Sequence, residues 1–486
     1  MRLSSLREVL PEADFIDFED VPITGVANDS RRVKPGHLFV AVPGYKEDGL
    51  RFVVDALARG CVAVLTDRRT QGIPHVPQVV VPDVRRALAR VSSHFYRYPS
   101  SALSVVGVTG TKGKTTTTYM IRSMLEAAGA KVGLLGTVSY VIGDREIPAP
   151  MTTPDAVDLQ GYLAQMREEG LTHAVMEASS HALAQRRADG IDFAAGVFTN
   201  LTRDHLDFHK THEEYRDAKA ILFEALGRER VAVLNADDPA SDEFARRTQA
   251  RTVWYGLRPG MDCSAEVMHG DLDGTVVHLW TVRGDAEFRM PLVGRHNVYN
   301  LMAATATVLA LGHPLGVAVA GAQGMRCVPG RLEPVECGQP FHVFVDYAHT
   351  EDSLRNVISA LRGLVAGRIL VLFGCGGDRD RGKRPLMGRA VEELADLAFL
   401  TSDNPRTEDP ARILDDVVAG MTDAPRRRVI PDREEAIFAA IREARAGDVV
   451  LLAGKGHEHY QILRETVKPF DDREVAIRAI TGASRV

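Results

Sequence analysis

Cysteine is scarce in this sequence. Five residues, Cys61, Cys263, Cys327, Cys337 and Cys375, are scattered through 486 positions with no C-x-x-C or other paired spacing. That argues against a disulfide framework or a cysteine zinc site, and predicts reduced thiols. A basic excess is missing too. Lys and Arg number 59 against 65 Asp and Glu, a net charge of −6, so no partnership with nucleic acid or an acidic membrane surface is expected. No apolar run reaches the length of a membrane span, and the opening MRLSSLREVLPEADF lacks the apolar core of a signal peptide. Repeats, low-complexity tracts and coiled-coil heptads are absent as well. The expectation is a cytoplasmic protein. With 45% hydrophobic and 26% charged residues, its composition is ordinary for a globular chain of about two to four domains.

What is there centres on residues 103–128, LSVVGVTGTKGKTTTTYMIRSMLEAA. A β-branched run, broken by Gly107, Gly110 and Gly113, gives way at Lys114 to a helical period with Met120, Ile121, Met124 and Leu125 on one face. Gly129 stands where the helix should stop. Strand, glycine loop and helix are the context of a phosphate-binding loop. Position 108 is valine where the general pattern has glycine, so the shorter form TGTKGKTT is the one present. Backbone N–H groups around Gly110 to Lys114 and the helix N-terminus suit phosphate oxygens. Lys114 suits the outer phosphates, and the Thr115 hydroxyl suits Mg²⁺.

Three units are expected, at 1–98, 99–333 and 334–486. The first reads as α/β, with a strand at HLFVAV, a helix ending at Gly60 and a strand at VAVLTD; its loops NDSRRVKPG and GYKEDG read by pattern as turns. Tyr98-Pro99-Ser100-Ser101 reads as a linker. In the second, the strands VGLLG, HAVMEAS, AAGVFTN and RVAVLNAD alternate with helices, which predicts a largely parallel sheet. Polar clusters follow two of them, at Glu177 and across NLTRDHLDFH, where sites form in such sheets. Glu177 is placed like the second acid of a P-loop enzyme. The His205 cluster has no zinc spacing and reads as polar loop. Lys219 reads by pattern as an exposed helix lysine. In the third unit four strands each precede a polar cluster, with Asp346 and His349, Arg379 and Lys383, Asp403, Asn404 and Arg406, and Lys455, His457 and Glu458. Four clusters at one sheet end suggest a site for a zwitterion or a nucleotide.

TGTKGKTT, EASSHAL, DHLDFH with a lysine downstream, GRHNVYN, VPGRLE and VDYAHT follow one another in this order. In this the chain resembles the Mur ligase family over essentially its whole length, most of all the members that add the third peptide residue. The resemblance implies a central P-loop mononucleotide-binding domain behind a UDP-sugar-binding domain, with a C-terminal Rossmann-like, amino-acid-binding domain. It implies ATP held by Gly110, Thr111, Lys112, Gly113, Lys114, Thr115 and Thr116, with His296, Asn297, Asn300, Arg331 and Asp346 also at the nucleotide. One Mg²⁺ would be served by Thr115 and Glu177 and a second would lie near His205, with a carbamylated Lys219 helping to orient the metal. Lys114, Glu177, His205, Lys219 and Arg331 would carry the catalysis.

The resemblance further implies UDP-N-acetylmuramoyl-L-Ala-D-Glu as a substrate. Asn28, Ser30, Tyr45, Lys46 and Glu47 match its uridine end, and Thr152, Thr153, Ser179, Gln185 and Arg187 its muramoyl-dipeptide track. The second substrate would be a diamino acid at Arg379, Asp403, Asn404, Pro405, Arg406, Gly454 and Glu458. The run Asp403-Asn404-Pro405-Arg406 favours meso-diaminopimelate over lysine or ornithine, because a guanidinium grips the additional carboxylate bidentately. A monomer is expected. The competing readings are a folylpolyglutamate-type ligase, which lacks the first unit and the DNPR run, and a nucleotide-switch ATPase, which leaves the charged third-unit crevice without a use.

Overall fold

In the computed structural model of the chain, residues 1–44, 47–70 and 75–482 are described. Tyr45 and Lys46 therefore lie outside the described residues. The run at 103–128 folds as strand Ser104–Thr109, a loop, and helix Lys114–Ala127. Met120, Ile121, Met124 and Leu125 are all buried, each such burial stabilising by about 1.5–3 kcal/mol. Gly129, at φ 81°, follows the helix end in left-handed backbone. Helix Leu315–Gly324 approaches so closely that a Cβ on Gly321 would lie 2.3 Å from Met124 Cα.

Strand Ser104–Thr109 sits inside a parallel sheet. Its neighbours are His173–Glu177 and Phe193–Phe198, with Val132–Leu135 beyond the first and Val231–Asn235 then Arg251–Tyr255 beyond the second. Short apolar runs such as SVVGVT suit strands covered on both faces. The hairpin Ser139–Ile142 and Arg145–Pro148 extends one edge, antiparallel to Val132–Leu135. Cys263–Asp271, Gly274–Thr281 and Gly284–Met290 extend the other, for eleven strands among the described residues.

A smaller sheet precedes it, in the order Asp14–Ile16, Gln78–Val80, Ala63–Thr66, His37–Val40 and Gly25–Ala27, parallel except for its first pairing. A third sheet runs Glu333–Pro334, His342–Asp346, Val449–Ala453, Ile369–Phe373, Leu397–Leu400 and Arg427–Val429, parallel except for the first pairing. In Ile369–Phe373 the odd positions pack into one apolar cluster and Leu370 and Leu372 into another. Helices on both faces account for that unbroken run ILVLF.

By packing, the described residues form two compact units. One holds Met1–Ala265, Leu279–Asp285 and Tyr299–Gly321, and the other Glu266–His278, Ala286–Val298 and Ala322–Val486. The expected linker at 98–101 is a packed joint, not a free tether. Pro99–Ala102 is a 3₁₀ turn with Pro99 and Ser100 buried, and Asp192 N donates to Ser100 Oγ at 3.0 Å. Arg32 reaches from the small sheet's side to Asp158 at 2.8 Å.

Candidate active site

In the first unit the phosphate loop is held from behind by strand Phe193–Phe198. Thr111 N donates to Asn200 O at 2.8 Å and Lys112 N to Asn200 Oδ1 at 3.0 Å. Asn200 Nδ2 and Thr199 Oγ1 both donate to Lys112 O. Thr199 and Asn200 shape the loop, although the sequence placed Thr199 only in a strand and Asn200 only at the edge of a polar cluster. Two glycines are required here. A Cβ on Gly110 would overlap Thr199 Oγ1, and one on Gly113, at φ 83°, would come within 2.4 Å of Asn300 Oδ1. Asn300 also accepts from Thr117 Oγ1 at 3.2 Å, so helix Arg295–Ala310 is pinned to the loop's helix. Lys114 Nζ curls back to Gly110 O and Thr111 O at 3.1 and 3.0 Å. Thr115 and Thr116 are buried at the helix start.

Lys219 is 1% exposed, so the reading as an exposed helix lysine is overturned. Its helix, His212–Glu224, buries Tyr215, Ala218, Lys219, Leu222 and Phe223. That is a 3.6-residue row in which Lys219 occupies a core-facing position. Nζ donates to Gly110 O at 2.8 Å and lies 4.2 Å from the Tyr215 ring centroid. Burial, reinforced by the nearby Lys114 ammonium, holds its basicity well below the ordinary lysine value. The Tyr215 hydroxyl meets Thr111 Oγ1 at 3.0 Å. His205, at φ 53° and 45% side-chain exposure, stands 6.1 Å from the Tyr215 ring and 4.8 Å from His181. Loop, lysine and histidine thus meet around one tyrosine.

Glu177 ends its strand in register with Val108, beside the phosphate loop, and is 1% exposed. Its carboxylate accepts from Thr137 N at 2.8 Å and Thr137 Oγ1 at 3.1 Å; Thr137 Oγ1 also meets Thr152 Oγ1 at 3.1 Å. Thr153 Oγ1 donates to Glu177 O at 2.7 Å and accepts from Ser179 N at 3.1 Å. Arg187 donates through Nη2 to Gln185 Oε1 at 2.6 Å and through Nη1 to Thr153 O at 3.1 Å. Asn28, Arg85, Asp155, Gln185 and Arg187 line one cleft, joining residues assigned to both ends of the sugar nucleotide. Burial raises the Asp155 carboxyl, helped by Asp158. Ser30 Oγ reaches Asp55 at 3.3 Å, while Glu47 is exposed and its carbonyl accepts from Gly44 N.

In the second unit, Asp346 accepts from Leu332 N and Ala348 N, both at 2.8 Å, and burial raises its carboxyl. Its neighbour Arg331 lies over the Tyr347 ring at 5.0 Å. Asn297 Nδ2 donates to Val293 O at 2.8 Å, and His296 is exposed. Asp403, Asn404, Pro405 and Arg406 follow strand Leu397–Leu400, as Gly454 and Glu458 follow Val449–Ala453. Arg406, at φ 52°, donates to Gly377 O at 2.8 Å. Asn404 Nδ2 donates to Glu458 Oε2 at 2.8 Å. Arg379, on the Gly376–Gly377 loop, is exposed. Beneath lies Lys455, with no exposed side-chain surface, which the sequence had placed only in a cluster. Arg384, equally buried, binds Glu408 and Asp416 and so props the Arg406 loop.

Comparison with known proteins matches the same parts of the chain. Sequence profiles described as "Mur ligase family, catalytic domain", "Mur ligase middle domain" and "Mur ligase, glutamate ligase domain" match residues 22–96, 108–308 and 330–456. The UDP-N-acetylmuramoyl-L-alanyl-D-glutamate--2,6-diaminopimelate ligase of Geobacillus thermodenitrificans is 47% identical, with 99% of both chains covered. That of Solibacter usitatus is 46% identical, over 99% of this chain and 97% of its own. A solved structure of a ligase of the same name superposes with a TM-score of 0.72 at 36% identity, covering 98% of each chain. With an α/β architecture of mostly parallel sheets, a phosphate loop backed by a buried lysine, and identity near one half along its whole length, the chain belongs to the Mur ligase family.

Proposed function

We infer that this protein is an ATP-dependent, ADP-forming ligase that joins meso-diaminopimelate to UDP-N-acetylmuramoyl-L-alanyl-D-glutamate, a step in peptidoglycan precursor synthesis. The observation that carries the reading is the pairing of a phosphate loop with a fully buried lysine on its first carbonyl, in a chain 47% identical to such a ligase. The domain limits that go with it are 1–98 for the sugar nucleotide, 99–333 for ATP and 334–486 for the amino acid. The protein acts as a cytoplasmic monomer.

The D-glutamyl carboxylate takes the γ-phosphoryl group of ATP, and the amine then attacks the acyl phosphate and expels phosphate. Lys114, now folded onto loop carbonyls, swings to the outer phosphates when they provide a better partner. Arg187, oriented by Gln185 and Thr153, holds the peptide end in the cleft. Arg406 grips the distal carboxylate of the diamino acid, and Glu458 and Asp403 receive its ammonium. The protein's part is positioning and charge neutralisation.

Mg²⁺ fits the donors present. Glu177 is a buried carboxylate at the strand end next to the loop and Thr115 a hydroxyl at the helix start, both hard oxygen ligands. Among the described residues no group of three His, Cys, Asp or Glu side chains suffices by itself to hold a metal, which suits an ion held largely by substrate phosphates. Bound there, Mg²⁺ supplies charge neutralisation at the phosphates. His205 would stand near a second Mg²⁺, and a carbamylated Lys219 would help orient the metal.

The test is ATP-dependent phosphate release with UDP-N-acetylmuramoyl-L-Ala-D-Glu and meso-diaminopimelate, lysine or ornithine, with product mass read in the same tubes. Release and a tripeptide product with diaminopimelate alone are expected. A preference for lysine or ornithine would remove the amine assignment, and hydrolysis indifferent to every co-substrate would remove the ligase.

A further inference from the structure

Lys455 is buried without residual exposure, and its ammonium faces three groups of the proposed amino-acid site. Nζ lies 3.2 Å from Asn404 Oδ1, 3.4 Å from Glu458 Oε2 and 3.8 Å from Asp403 Oδ1, with the Tyr460 ring centroid at 5.8 Å. Strand Val449–Ala453 delivers it to this position through Gly454. Gly454 has φ 113°, and a Cβ there would stand 2.8 Å from Asp403 Oδ2.

An ammonium has only hydrogens to offer, so Asn404 must turn its oxygen inward. That oxygen also accepts from Ile462 N at 2.9 Å, which leaves Nδ2 to donate to Glu458 at 2.8 Å. Gln461 Nε2 meanwhile holds the Asp403 carbonyl at 2.7 Å. One side chain therefore fixes the amide orientation of Asn404 and the rotamers of two carboxylates. Charge follows the same geometry. A buried cation requires a counter-charge, and here two carboxylates share one.

We propose that Lys455 is the positioning and charge-setting residue of the diamino-acid site. By offsetting one of the two carboxylate charges of Asp403 and Glu458, it leaves the site one uncompensated negative charge for a substrate ammonium and keeps a second carboxylate on the substrate tolerable. Diaminopimelate, with two ammonium and two carboxylate groups, is net neutral; lysine, with one carboxylate fewer, is net positive. Removing the Lys455 charge makes the site more negative and shifts preference toward lysine. This deepens the ligase reading and rests on it.

The experiment compares wild type with Lys455→Gln, which can still donate a hydrogen bond, and Lys455→Arg, which keeps the charge. The readouts are KM for all three substrates and kcat/KM for diaminopimelate and lysine. In K455Q the diaminopimelate-to-lysine ratio is expected to fall on the order of tenfold. KM for ATP and for the sugar nucleotide should stay within about twofold, and K455R should retain the wild-type ratio. An unchanged ratio in K455Q, or all three KM values moving together, overturns the proposal. So does loss of the fold in both variants, since Lys455 would then be a structural cation only. Failure of the wild-type enzyme to use either amine counts instead against the ligase reading, because that arm contains no substitution.

Discussion

Lys219 Nζ donates a 2.8 Å hydrogen bond to the carbonyl oxygen of Gly110, joining residues 109 positions apart. An amine buried there, next to Lys114, is held toward its neutral form. Neutral amines add CO₂ and ammonium ions do not. In bicarbonate enriched in carbon-13 the protein is expected to show a carbamate resonance that disappears in Lys219→Ala, with kcat lower by about 10² or more. A resonance that persists in the variant would assign the carbamate elsewhere.

The same lysine fixes the sign of a pH effect. Its folded-state value lies below the ordinary 10.5, so the unfolded chain binds the extra proton. The lysine's contribution to stability is fully present above 10.5 and is lost as pH falls through the lowered value. Without added CO₂, Lys219→Met should therefore melt higher than wild type at neutral pH, with the gap closing as pH approaches 10.5. A gap independent of pH would count against a depressed lysine.

Gly113 combines left-handed backbone with a forbidden approach to Asn300 Oδ1. Gly113→Ala is expected to raise the dissociation constant of an ATP analogue by about tenfold or more, since the left-handed backbone alone costs about 1–2 kcal/mol. Asn300→Ala in the same chain relieves the contact and leaves the backbone cost, so calorimetry should show partial recovery. Full recovery would mean that the backbone conformation is unimportant for binding.

Arg406→Lys keeps a positive charge and loses the planar fork. KM for diaminopimelate should rise about tenfold while KM for ATP is unchanged. Equal rises for both substrates would place the effect in folding, through the guanidinium contact of Arg406 with Gly377 O.

How far the sequence carried these points depended on the range of the interactions. Ser104–Thr109 with Lys114–Ala127, and the four central strands of the third sheet, were legible because their apolar runs and glycines are local signals. Lys219 was misread although Tyr215, Leu222 and Phe223 mark its row as core-facing, because a lysine in such a row is usually discounted. Strands at or toward the sheet edges were not seen. Arg427–Val429 carries two arginines, a polar edge with no apolar period, and Cys263–Asp271 is buried only over its first three residues. Asn200 and Lys455 act through contacts 88 and 51 positions away, which no window along the chain reveals.

Behind the amino-acid site lies an ion pair whose removal separates stability from chemistry. Arg433 and Asp472 have no exposed side-chain surface and meet through two hydrogen bonds, of 2.7 and 2.6 Å. Arg433 also donates to Ala453 O at 2.9 Å, the residue just before Gly454 and Lys455. Arg433→Met strands a buried carboxylate and is expected to cost about 3–5 kcal/mol, lowering the melting temperature of the second unit. Arg433→Met with Asp472→Leu removes both charges, so most of that stability should return. The anchor on Ala453 does not return with it, and KM for diaminopimelate should stay raised in the double variant. If stability and KM recover together, the pair serves the fold alone; if KM stays high after the melt is restored, Arg433 positions the strand end that carries the site.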